Sequence, residues 1–121
     1  MSDGDCFPKA VETLRLLLDQ GLDAYIVHGT PTYLGDGPAE LPDGRFHHAW
    51  VEVEGPDTVV VYDFSNGRER IVDRAMYYAV GNLTPETHTT EYDHACAVYQ
   101  MTEFGHYGPW DGSVPPVAAT G

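Results

Sequence analysis

The apolar positions of the first third of the chain change period once. Across residues 7–20, Ala10, Val11, Leu14, Leu17 and Leu18 recur at helical spacing, with Lys9, Glu12, Arg15 and Asp19 off that stripe. This predicts an amphipathic helix, capped by Asp5, with Pro8 in its first turn and Gly21 at its stop. Leu16 falls outside the stripe, which predicts that the helix is covered on more than one side. Residues 24–28 read as a short buried strand closed by Gly29. Residues 30–46 hold Pro31, Gly35, Gly37, Pro38, Pro42 and Gly44 and read as a long loop. Residues 49–54 alternate apolar and polar, the pattern of a half-buried strand. Gly55-Pro56-Asp57-Thr58 is turn chemistry, residues 59–63 form the returning strand, and Ser65-Asn66-Gly67 make another turn.

The later pattern is weaker. Residues 73–80 fit a short helix or an irregular strand. Residues 87–92, rich in threonine, read as an edge strand. Asp93 is placed to cap a helix running to about Glu103, with Gly105 ending it. Residues 106–110 form an aromatic loop, and residues 112–121 read as a disordered tail after a single domain at 1–111. A helix, an antiparallel meander and a further helix make an α+β fold, with the N-terminal helix packed on an antiparallel sheet.

Composition narrows the function. The chain has 121 residues, of which 42% are apolar, enough for one core. Six basic residues against 19 acidic ones give a formal net charge of −13. That balance leaves no cationic surface for nucleic acid and disfavours an anionic membrane. No apolar run is long enough to span a bilayer. The acidic, polar start is unlike an export signal, so the expected location is cytoplasmic. Cys6 and Cys96 are too few for a disulfide scaffold.

Cys6 stands where the first helix begins. Unpaired N–H groups and the helix dipole favour negative charge there, and the thiolate is the nucleophilic form of cysteine. A cysteine at that position can equally be a packing residue. The hairpin adds partners. A turn centred on Pro56-Asp57 sets Glu54 opposite Val59, Trp50 opposite Asp63 and His48 opposite Ser65. His48, Trp50, Asp63 and Ser65 then share one face, with His48 and Asp63 diagonal neighbours roughly 7–8 Å apart at the backbone. An aspartate closing the apolar run Val59-Val60-Val61-Tyr62 is costly without a partner. Paired with His48, it would hold the imidazole so that the other ring nitrogen faces a thiol.

These segments resemble a known group. Gly4-Asp5-Cys6, the leucine-rich helix, Gly21-Leu22 and Val27-His28-Gly29 look like the nucleophile segment of transglutaminase-like proteins in the papain-like cysteine peptidase superfamily. His48-Ala49-Trp50-Val51-Glu52-Val53 resembles their histidine strand, and Val61-Tyr62-Asp63 their aspartate strand. Bacterial lasso-peptide leader peptidases show a similar His-Ala-Trp-Val pattern. The likeness runs from Gly4 to Gly67, and the order and spacing of the segments carry it. It implies a minimal transglutaminase-like fold, with Cys6 as nucleophile, His48 as general base and acid, and Asp63 as the residue that orients it. The implied activity is a thiol-dependent peptidase, amidase or acyltransferase acting on a peptide or protein substrate without a cofactor. The Cys6 backbone N–H is one oxyanion donor; the sequence identifies no second.

Trp50, Tyr107 and Trp110 are the expected substrate-binding residues. His47 and His48, with Asp43 nearby, do not read as a metal site, because adjacent strand residues point to opposite faces. Cys96, Tyr77 and Tyr78 read as packing residues. The glycines at 35 and 37 lack the lysine and hydroxyl of a phosphate loop. A different class of function remains open on the same fold, a non-catalytic binding or inhibitor protein that uses its acidic surface and aromatic loop.

Overall fold

The computed structural model describes residues 6–32, 44–108 and 110. The expected cap Asp5, the glycines at 35 and 37, and the tail at 112–121 lie outside them. Helix α1 spans Cys6–Asp19 and buries Cys6, Ala10, Val11, Thr13, Leu14 and Leu17. It ends in a Schellman turn: Gly21 is left-handed at φ 81°, and the Leu22 N–H donates to the Leu17 carbonyl at 3.1 Å. Leu16 is 52% exposed, so α1 is covered on one side only, against the expectation.

Five antiparallel strands follow, β1 (Ala24–Gly29), β2 (His48–Glu54), β3 (Val59–Asp63), β4 (Arg70–Asp73) and β5 (Thr89–Tyr92), in the spatial order β4-β3-β2-β1-β5. Between β4 and β5 lie α2 (Arg74–Gly81) and the single turn α3 (Pro85–His88). Helix α4 (His94–Phe104) closes the described chain, with the Asp93 side chain accepting from the Cys96 N–H and Gly105 left-handed at its end. Residues 73–80 thus resolve as helix: Asp73 caps α2, accepting from the Ala75 N–H at 3.0 Å, and Asn82 ends it in the left-handed region. Strand β4 was not legible as a separate element. The expected strand at 87–92 begins only at Thr89, because the residues before it form α3.

The sheet is covered on both faces. Ala49, Val51 and Val53 of β2 and Ile26 of β1 pack with the stripe of α1, and Ala97 of α4 joins them. On the other face Val27, Trp50 and Val61 pack against Tyr77 and Tyr78 of α2. Strand β2 is therefore buried on both faces over His48–Val53, not half-buried as its alternation suggests. Among the described residues no helix is long and apolar enough to cross a membrane.

Candidate active site

Three elements end at the same edge of the fold: α1 begins there, β2 begins there and β3 finishes there. The pairs Glu54↔Val59, Val53↔Val60, Glu52↔Val61 and Val51↔Tyr62 give the register read from the turn. One step on, His48 and Asp63 lie diagonally on one face. His48 Nε2 is 3.0 Å from Asp63 Oδ2, and both residues are only 2% exposed. The carboxylate can only accept, so Nε2 is the donor. Nδ1 is the ring nitrogen left for Cys6, which is close enough to the imidazole to raise its pKa.

The surroundings hold both groups charged. Burial opposes an imidazolium, but the hydrogen bond that the ring donates to Asp63, the Asp63 charge and the nearby Cys6 outweigh it and push His48 up to about 9. Burial likewise opposes the carboxylate. His48 above all, with Tyr77 and Ser65 as further donors, holds Asp63 at about 2. The contacts explain this. Asp63 Oδ1 accepts from the Ser65 hydroxyl at 2.7 Å and the Ser65 N–H at 3.2 Å. Asp63 Oδ2 accepts from Tyr77 Oη at 2.7 Å in addition to His48, and Arg70 Nη1 lies 3.7 Å away.

His48 opens on a cleft of about 190 Å³ whose walls include Phe7, Gly29, Thr30, His47, His88 and Thr89. His47 shares this cleft with His48 because it precedes β2, where strand alternation does not yet apply. Cys6 does not line this cleft; with Thr13, Asp63, Phe64 and Ser65 it lines a separate, narrow gap.

The expected substrate-binding residues lie elsewhere. Trp50 is 1% exposed and sits against the His48 ring, with centroids 5.8 Å apart, as core beneath the site. Trp110 is buried against His28 and Tyr92, its indole N–H donating to the His106 carbonyl at 2.8 Å. Tyr107 is exposed beside Arg15, Val98 and Met101, on a separate cavity of about 420 Å³. None of the three lines the cleft at His48. Among the described residues no three His, Cys, Asp or Glu side chains converge as metal ligands.

Sequence reading missed a second buried carboxylate. Glu52, a polar position in a strand whose alternation predicts half-burial, is fully buried. It accepts from Trp50 Nε1 at 3.0 Å, Tyr25 Oη at 3.0 Å and Tyr78 Oη, and pairs with Arg74 at 3.3 Å. Burial, reinforced by the Glu52 charge and hydrogen bonds, pushes both tyrosines above the usual phenol range. The available signal was the i, i+2, i+4 series His48, Trp50, Glu52, which puts the glutamate on the histidine's face. No protein-family model matches the chain, and no curated protein or solved structure does either.

Proposed function

We propose that this protein is a thiol-dependent acyl hydrolase or acyltransferase acting on a peptide or protein amide, built on a minimal transglutaminase-like, papain-like fold. Cys6 is the nucleophile, His48 the general acid and base, and Asp63 the residue that orients the ring. The observation that carries the reading is the buried His48–Asp63 pair at 3.0 Å, with Cys6 at the start of α1 acting on the same imidazole. A purely structural cysteine has no need of an imidazole kept charged by a buried carboxylate.

On this reading each proton has a defined path. The Cys6 sulfur, having given its proton to His48 Nδ1, attacks the carbonyl carbon and forms the C–S bond. The tetrahedral oxyanion takes the Cys6 backbone N–H as one donor. As the C–N bond breaks, Nδ1 returns the proton to the leaving amine. Water, its proton passing to Nδ1, then attacks the thioester, and the C–S bond breaks to release the acid and the thiolate. An amine in place of water gives transfer. Throughout, Nε2–H stays on Asp63 and keeps the ring in plane with the thiol. A reducing, cytoplasmic setting suits a free thiol at Cys6.

The test is alkylation by iodoacetamide near neutral pH, mapped by peptide mass. Cys6 is 8% exposed whereas Cys96 is only partly buried, so exposure alone favours Cys96. The proposal expects the reverse order, with Cys6 labelling slowed at least tenfold in His48→Ala. Preferential labelling of Cys96 would reject it in favour of a non-catalytic binding protein on this fold.

A further inference from the structure

Helix α2 delivers two successive phenols to two different buried carboxylates. Neighbouring helix positions differ by about 100° in direction, so Tyr77 and Tyr78 diverge. Tyr78 Oη reaches Glu52, while Tyr77 Oη lies 2.7 Å from Asp63 Oδ2. Tyr77 is 1% exposed, and its ring rests on Trp50 with centroids 5.1 Å apart. Asp63 Oδ2 is the oxygen that also receives His48 Nε2–H. The phenol and the imidazole therefore share one carboxylate oxygen, one on each lone pair.

We infer that Tyr77 is a positioning residue of the site, acting through Asp63 to aim His48 at Cys6. The inference rests on the function proposed above and deepens it. With one lone pair of Oδ2 taken by Tyr77 Oη–H, the direction left for His48 Nε2–H is fixed, and with it the tilt of the ring. The Ser65 hydroxyl and N–H anchor the other oxygen, so the carboxylate cannot rotate. The donated O–H also makes Asp63 a weaker base, so the proton between it and His48 stays on Nε2.

A packing role does not account for the hydroxyl. Phenylalanine fills the same space against Trp50, and a buried O–H is costly unless it finds an acceptor. The groups facing Asp63 are Cys6 from α1, His48 from β2, Ser65 after β3, Arg70 from β4 and Tyr77 from α2. Arg70 supplies charge at 3.7 Å but lies beyond hydrogen-bonding distance, so it does not replace the phenol.

The experiment is Tyr77→Phe with Tyr78→Phe as control. Three readouts are followed against pH: the Asp63 carboxyl carbon by NMR, the His48 ring nitrogens by NMR, and the alkylation rate of Cys6. In Tyr77→Phe the Asp63 midpoint should rise by about one pH unit, the worth of one hydrogen bond. Above the His48 midpoint, where the ring is neutral, its nitrogens should lose their single-tautomer signature, and Cys6 labelling should slow about tenfold. Tyr78→Phe, which removes an equal hydroxyl from Glu52, should leave all three unchanged. An unmoved Asp63 midpoint in Tyr77→Phe, or the same response in Tyr78→Phe, overturns the inference. If Tyr77→Phe does not fold, the wild-type protein decides. The Tyr77 hydroxyl proton should then give a slowly exchanging resonance with cross-relaxation to the His48 Nε2 proton, and its absence overturns the inference. Should Cys6 prove unreactive in the wild type, the proposed function fails by that result alone, and the Asp63 midpoint still reports whether Tyr77 controls the carboxylate.

Discussion

The buried pair makes stability depend on pH in a defined direction. His48 rises from its ordinary 6.5 to about 9 in the folded protein, so folding favours the protonated ring. That contribution is complete below about pH 6.5 and is lost as pH rises through about 9. The rise corresponds to about 3 kcal/mol. Asp63 falls from 3.8 to about 2, so its contribution is complete above about pH 3.8 and is lost as pH falls through about 2. The two values describe largely one interaction and are not added. His48 moves further because Cys6 acts on it as well. Asp63→Asn removes the charge and keeps the shape, and urea unfolding of both proteins from pH 5 to 10 gives the difference in stability. The variant's unpaired donors produce a constant offset, whereas the linkage produces a slope. The difference should therefore fall by about 2–3 kcal/mol between pH 6.5 and 9.5, and near pH 6 the melting temperatures should differ by about 10 °C. A difference that stays flat across this range would refute the assignment of a charged His48 held by Asp63.

Other substitutions test the surrounding frame. A Cβ at Gly29 would lie 2.5 Å from Trp50 Cη2 and 2.9 Å from the His88 carbonyl, so Gly29→Ala should cost about 1–3 kcal/mol in a denaturant melt, and an unchanged midpoint would mean the indole is not wedged there. Glu52→Ala leaves the buried donors of Trp50 and Tyr78 without their acceptor and should cost about 3–5 kcal/mol; a melting temperature within about 2 °C of wild type would count against a structural network. Gly21→Ala forces a side chain into the left-handed Schellman position and should cost about 1 kcal/mol without changing Cys6 labelling.

What could be read from the sequence was local, and what could not be read was set by contacts distant in sequence. The stripe of α1, the Gly21 stop, the Asp93 cap and the Gly55–Thr58 turn each depend on residues within a few positions of one another, and all stand in the structure. The turn alone sets the register, and the register alone makes His48 and Asp63 diagonal neighbours. The second burial of β2 is different. Its His48, Trp50 and Glu52 face is covered by α2, an element whose own sequence fits a helix or a strand and whose placement depends on β4 pairing with β3. Without α2 in place, Glu52 reads as solvent-facing and Tyr77 as a core ring. For the same reason Trp50 reads as a substrate-facing aromatic, although the helix above it leaves no exposed surface.

Burying two carboxylates under one sheet face demands compensation, and the arrangement of donors shows how each is met. Asp63 receives four hydrogen bonds, from His48, Tyr77 and twice from Ser65, and is balanced by the His48 charge. Glu52 receives donors from Tyr25, Trp50, Tyr78 and Arg74, and is balanced by the Arg74 guanidinium. Each cluster is close to neutral and satisfied, the condition under which a buried polar network orders a core instead of weakening it. Trp50 joins them: its N–H is fixed by Glu52, and its ring lies against both His48 and Tyr77. The floor under the imidazole is thus held from the Glu52 side by an ion pair and from the Asp63 side by a phenol. The proposed function needs this, because the ring must turn its Nδ1 toward Cys6 at a fixed angle while its charge is generated and lost. Hydrophobic packing alone limits where the ring can go, but only directed donors and acceptors fix which way its nitrogens point.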